Sequence, residues 1–259
     1  MKRILIVAAA LLFAASQALA ADLPVRAGPA PAYYPVATVY DWGGGYIGVN
    51  AGYASGQSNW SDTFNPSGNT STGSFNVNGA LAGVTAGVSG QWSAFVFGIE
   101  GDFDWQGLTG SSSSSFCTSI ITSTATTAVA AGLSCKTEST WIGTLRARAG
   151  YAWDRVLLYG TAGIAGANVQ VGLNGQPRQT IFQVGWTAGG GLEWAFAENW
   201  TAKVEYLFVD YLGTANCNHG YSCGYDTVAI SSIPAAGANI GVKLNENLIR
   251  FGVNFKFGH

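Results

Sequence analysis

Charge is scarce in this chain. Only 10 % of its 259 residues are Asp, Glu, Lys or Arg, against about 25 % in an ordinary soluble domain. With hydrophobic residues at 48 %, there is too little polar surface to cover a fold in water. Long apolar runs are missing too: beyond the first twenty residues none approaches the ~18 that a membrane-spanning helix requires. No basic cluster tracks a phosphate backbone, so nucleic acid is excluded as a partner. Histidine is limited to His219 and His259, and cysteine to four positions, which leaves no ligand set for a metal and no pattern that implies a cofactor.

What is present begins with a targeting signal. Lys2 and Arg3 precede an apolar run from Ile4 to Ala15, and Ala18-Leu19-Ala20 supplies a small-x-small cleavage site. Residues 1–20 therefore read as a secretory signal peptide, and its removal leaves ten basic and fourteen acidic side chains in 239 residues. Residues 21–41 carry Pro24, Pro29, Pro31 and Pro35 and read as a tail that cannot pair in a sheet. The remainder, 42–259, holds most of the 36 glycines and 33 aromatic residues, a composition that disfavours helix.

From Tyr46 onward, segments of about ten residues alternate apolar with small or polar side chains. Ile47, Val49, Ala51 and Tyr53 share one face of the first segment, and Val84, Ala86 and Val88 one face of the second. In the third, Phe95, Phe97, Ile99 and Phe103 oppose Glu100, Asp102 and Asp104. In the fourth, Leu145, Ala147, Ala149 and Tyr151 oppose Arg146 and Arg148. The fifth, Val156 to about Ala165, has no clear phase. Trp186, Leu192 and Trp194 oppose Glu193 in the sixth; Val204, Tyr206 and Phe208 oppose Lys203 and Glu205 in the seventh. In the eighth, Ile249, Phe251, Val253, Phe255 and Phe257 oppose Arg250 and Lys256. Period-2 alternation with one face in lipid and one in a lumen is how transmembrane strands are written. The fold class expected is all-β: an eight-stranded antiparallel transmembrane β-barrel.

Connections should alternate in length. Short turns fall near 90–93, 154–155 and 197–199, and long loops over 56–78, 106–140, 167–180 and 212–246. Short turns belong in the periplasm and long loops outside the cell, which places both termini in the periplasm. Trp42, Trp92, Trp153, Trp194 and Trp200 gather at the short-turn ends, and Trp105, Trp141 and Trp186 toward the other, as two aromatic girdles would.

The inward charges form the candidate site: Glu100, Asp102, Asp104, Glu193 and Glu205 against Arg146, Arg148, Lys203, Arg250 and Lys256. Eight strands enclose a lumen that side chains can just fill. These charges either pair into a plug or line a narrow ion path. Cys117, Cys135, Cys217 and Cys223 are candidate disulfide partners in an oxidising compartment; three connectivities exist, and the two local pairings are favoured because each lies in one Ser/Gly/Asn-rich segment. His219 and Ser222 could suggest a lipid-active enzyme, but an outer loop holds a base poorly against a nucleophile. No catalytic residue is expected.

The run Phe95-Val96-Phe97-Gly98-Ile99-Glu100-Gly101-Asp102, the strand Arg146-x-Arg148-x-Gly150-Tyr151 and the ending Phe251-Gly252-Val253-Asn254-Phe255-Lys256-Phe257 resemble the small porin-like outer-membrane proteins of alphaproteobacteria. These are major surface antigens with an OmpA-like, opacity-type barrel. One departure is that Gly258-His259 follow the last aromatic residue, where such barrels usually stop. The resemblance implies a Gram-negative outer-membrane location and a structural and surface-interaction role in envelope integrity, with a small-solute porin as the alternative. It implies contacts with outer-membrane lipid and lipopolysaccharide, with the barrel assembly machinery, and with host, phage or cell surfaces through the loops.

Overall fold

A computed structural model describes residues 40–62, 71–117, 134–174, 178–212 and 240–258. The signal segment, most of the proline-rich tail, Cys217, Cys223, His219 and His259 lie outside the described residues. Eight strands follow one another: β1 Gly44–Asp62, β2 Ser71–Trp92, β3 Phe95–Ser112, β4 Cys135–Trp153, β5 Val156–Leu173, β6 Gln179–Ala195, β7 Trp200–Tyr211 and β8 Ile240–Phe257. Each pairs antiparallel with its neighbours, and β8 returns to β1 to close the barrel. No strand is left as an edge to recruit another chain.

The strands are tilted, and the register shows by how much. From Tyr46 on β1 the paired residues run through Gly87, Glu100, Arg146, Gly163, Thr187, Val209 and Glu246, and from there to Gly56, ten residues further along β1. A stagger of ten over eight strands gives a tilt of roughly 40°. Two turns close on two residues each, at 93–94 and 154–155, where Ser93 and Asp154 adopt φ of 57° and 50°. Short hairpin loops need such left-handed residues to match the twist of the flanking strands.

The strands are longer than the ten residues the alternation marked out, at 12 to 22. The loops shrink accordingly: 56–78 to 63–70, 106–140 to 113–134, 167–180 to 174–178, and 212–246 to 212–239. The reason lies in the polarity of the extensions. Near the short turns the outward residues are apolar and exposed, among them Val49, Ile99 and Phe251, while charged residues point inward. Farther along, the outward residues turn polar and the inward ones apolar: Val77, Leu108, Val169, Val209, Leu244 and Leu248 form one buried cluster. Such a strand has left the lipid and is built like one from a water-soluble barrel, so its polar outward letters read as loop.

Strand β4 makes the change with an extra residue. The β4–β5 register shifts between Ser139 and Trp141, and Thr140 is left exposed. Below this bulge Ile142, Thr144, Arg146 and Arg148 face inward; above it Cys135, Thr137 and Ser139 do. One inserted residue exchanges the two faces of a strand. The fifth strand, whose phase was open, buries Leu157, Tyr159, Thr161, Ala165 and Ala167.

Candidate functional site in the barrel lumen

Strand geometry brings the inward charges together. On β3, Glu100, Asp102 and Asp104 follow at two-residue spacing, and register sets Glu100 opposite Arg146 on β4. Arg146 is a hub: its Nη2 lies 2.6 Å from Glu100 and 2.7 Å from Asp102, and its Nη1 2.9 Å from Glu205 across the lumen. Its Nε donates to the Thr144 hydroxyl at 2.9 Å. Arg250 is a second hub, reaching Asp102 at 2.8 Å, Asp104 at 2.5 Å and also Glu205. Arg148 pairs with Glu193 and stacks its guanidinium 3.9 Å from the centre of the Tyr159 ring. Lys203 contacts Glu100 at 2.8 Å.

Nine of the ten predicted charges thus form one continuous, buried network of four cations and five carboxylates. An isolated ion here would cost several kcal/mol in lost hydration, and each carboxylate instead meets at least one cation. Lys256 is the exception. Its ammonium turns to the short-turn mouth, where it donates to the Asp41 carbonyl at 2.5 Å and lies 4.6 Å from the centre of the Tyr40 ring. The difference arises because Lys256 is near the end of β8, where backbone carbonyls outside the barrel are within its reach.

That mouth holds a stopper that alternation does not reveal. Trp42, expected in a girdle facing lipid, is only 3 % exposed and packs with Tyr40, Val96, Leu157 and Tyr159. Its Nε1 donates to the Asp154 carbonyl at 2.9 Å, and its backbone carbonyl accepts from the Ser89 hydroxyl. Tyr40, at the end of the expected tail, donates its backbone N–H to the Asp154 carboxylate at 3.0 Å. Burial, with Glu193 nearby, pushes the Tyr40 hydroxyl up to about 12. Trp42 precedes the first strand, so period-2 geometry does not govern where it points.

The network has neutral members that the sequence reading missed. Tyr46 donates to Glu100 at 2.9 Å and Tyr159 to Glu205 at 3.1 Å. A Cβ at Gly87 would fall 2.4 Å from the Tyr46 hydroxyl and one at Gly191 2.7 Å from the Tyr159 hydroxyl, so both rings need glycine beside them. Thr144 donates to Asp102, while Thr201 and Asn254 donate to Glu193. All share the inward parity of the charges, which is the signal that could have found them.

Above the charges the lumen turns mostly apolar, with Gln106 and Gln183 buried among the aliphatic side chains. Leu81, Ile142, Leu207 and Leu248 belong to the buried apolar cluster. Within that cluster sits Glu246, also unforeseen: its Oε1 accepts from the Tyr211 hydroxyl at 3.2 Å, and it makes no ion pair among the described residues. Higher still, Trp60 is buried and donates to Thr137 at 2.9 Å. Cys117 and Cys135 are joined as a disulfide beside it. The described residues hold no group of three or more His, Cys, Asp or Glu arranged for a metal.

The family follows from comparison with known proteins. A model described as outer membrane protein beta-barrel domain matches residues 6–257. The chain belongs to this family. A 31 kDa outer-membrane immunogenic protein of Brucella melitensis is 36 % identical over 272 residues, covering 99 % of this chain and all of the relative. A 25 kDa outer-membrane immunogenic protein of Brucella abortus is 34 % identical, covering 99 % of each. Among solved structures, Neisserial surface protein A overlaps 82 % of this chain and 97 % of its own at 14 % identity and a TM-score of 0.37. This outer-membrane barrel therefore resides in the Gram-negative outer membrane and is similar to surface antigens; the relatives are named as immunogenic proteins and not as enzymes.

Proposed function

We propose that this barrel is a structural and surface-interaction component of the outer membrane rather than a pore. The observation that carries the reading is a lumen filled in layers: the Tyr40–Trp42 stopper, the nine-charge network and the apolar cluster up to Trp60. An apolar constriction closes an ion path by excluding water, and Leu81, Ile142, Leu207 and Leu248 fill the lumen just above the charges, with Gln106 and Glu246 buried beside them. The barrel then serves as an anchor, inserted by the assembly machinery, that holds its loops at the cell surface for contact with host, phage or neighbouring cells. Relatives named as immunogenic support loops that antibodies reach. Purified protein added to a planar bilayer should give no reproducible conductance steps. Stable unitary steps would reject the closed lumen and favour the porin reading.

A further inference from the structure

The outer wall above Tyr53 carries a pattern that solubility alone does not require. On β1, Ser55 pairs in register with Asn78 of β2 and Asn247 of β8; one step higher, Gln57 pairs with Asn76 and Asn245. Two in-register rows across three strands thus contain four asparagines, a glutamine and a serine, all facing outward. Asparagine is disfavoured in strands, and a wall that only needed hydration would be served by Thr or Lys. On the opposite wall at similar height, Asn168 and Gln170 of β5 also face outward, but beside the exposed Phe182 and Val184 of β6, so the unbroken amide rows belong to the β2–β1–β8 side.

The rows shape two grooves of about 320 Å³ each that meet at Gln57. The half-exposed Tyr53 ring forms the foot of the lower one. Among the described residues, the only charges lining either groove are Asp210 and Lys243, one of each sign, in the upper one. Two amides are already oriented: the Tyr206 hydroxyl donates to Asn247 Oδ1 at 2.6 Å, turning its Nδ2 toward the Ser55 carbonyl at 3.4 Å, and the Gln57 backbone N–H donates to Asn245 Oδ1 at 3.3 Å.

We propose that this amide wall binds the sugar headgroup of a glycolipid in the outer leaflet. A carboxamide presents a donor and an acceptor side by side, which suits adjacent sugar hydroxyls, while an aromatic face at the foot of a groove suits the apolar face of a sugar ring. The volume is at the low end for small-ligand sites and fits one or two sugar units. Location selects the source. Tyr53 and Tyr206 lie in the aromatic belt that marks the bilayer surface, and the rows stand two and four residues above Tyr53, roughly 5 and 10 Å higher on a tilted strand. Glycolipid headgroups occupy that shell. The proposal is independent of whether the lumen conducts.

The test titrates detergent-solubilised protein with lipid-free core oligosaccharide from lipopolysaccharide and follows the side-chain amide signals by nuclear magnetic resonance. Saturable shifts are expected, with at least a ten-fold loss of affinity in Asn76→Ala/Asn78→Ala and no change in Thr180→Ala on the opposite wall. Tyr53→Leu, which keeps the belt apolar, should lose at least three-fold. A mobility difference between unboiled and boiled protein on a gel, matching that of wild type, verifies that each variant is folded. Absence of saturable shifts, undiminished affinity in the double asparagine variant, equal binding of dextran, or binding of glycerophosphate alone would each overturn the proposal.

Discussion

The lower and upper halves of this barrel are built from the same strands with opposite polarity. Near the short turns, Val49, Ile99 and Phe251 face out and Arg146, Arg250 and Glu205 face in; nearer the loops, Gln57, Asn76 and Asn245 face out and Val77, Leu108 and Leu244 face in. Solvent makes the difference. In lipid the wall must be apolar, and the interior is the one place for polar groups, provided they satisfy one another. Above the lipid, water takes the polar side chains, and the interior becomes a hydrophobic core.

The sharpest way to break the comparison is to reverse the lower hub. Arg146→Glu would set a fourth carboxylate among Glu100, Asp102 and Glu205, at a cost of about 5 kcal/mol or more given the 3–5 kcal/mol typical for removing one partner of a buried pair. Urea unfolding followed by gel mobility should show the loss; an unchanged midpoint would mean that the network does not hold the lower half together. In the upper half, Leu248→Ala should cost about 3 kcal/mol through the cavity it leaves. Its penalty should be the same at low and high salt, as for any apolar contact. A matched pair on the outer wall sharpens the boundary. Val49→Arg, facing lipid, should cost about 2–4 kcal/mol, while Thr109→Arg above the lipid should stay within about 0.5 kcal/mol. Equal penalties would misplace the membrane surface. The smallest effect concerns wild type: raising the salt should barely move its unfolding midpoint, because buried pairs are poorly screened.

The lower half was legible because its two periodic signals coincide: an apolar outward residue at every second position, and charges only between them. Strands β3 and β4 gave away the Glu100–Arg146 contact this way. The upper half was not, since Ser55, Gln57 and Asn59 resemble a loop until their inward neighbours Gly56, Ser58 and Trp60 are seen to be buried. Thr140 concealed the rest of β4, because an extra residue puts Thr137 and Ser139 on the opposite parity from Arg146. Glu246 escaped as a single acid in a stretch that read as loop. Trp42 and Lys256 went astray for a shared reason: at the end of a barrel, contacts with turns and with residues before the first strand replace the alternation rule.

The stopper at that end also bears on how the barrel is put together. Its partners lie at increasing distance along the chain: Gln91 is 49 residues from Trp42, Asp154 is 114 from Tyr40, and Lys256 is 215 from Asp41. The nearer two are available once the first five strands have formed, whereas the last arrives only with the closing seam between β1 and β8. Ordering by chain separation makes that seam the entropically most expensive join. In the closed barrel the stopper thus ties the approach to β1 to the end of β2, to the β4–β5 turn and to the closing strand β8.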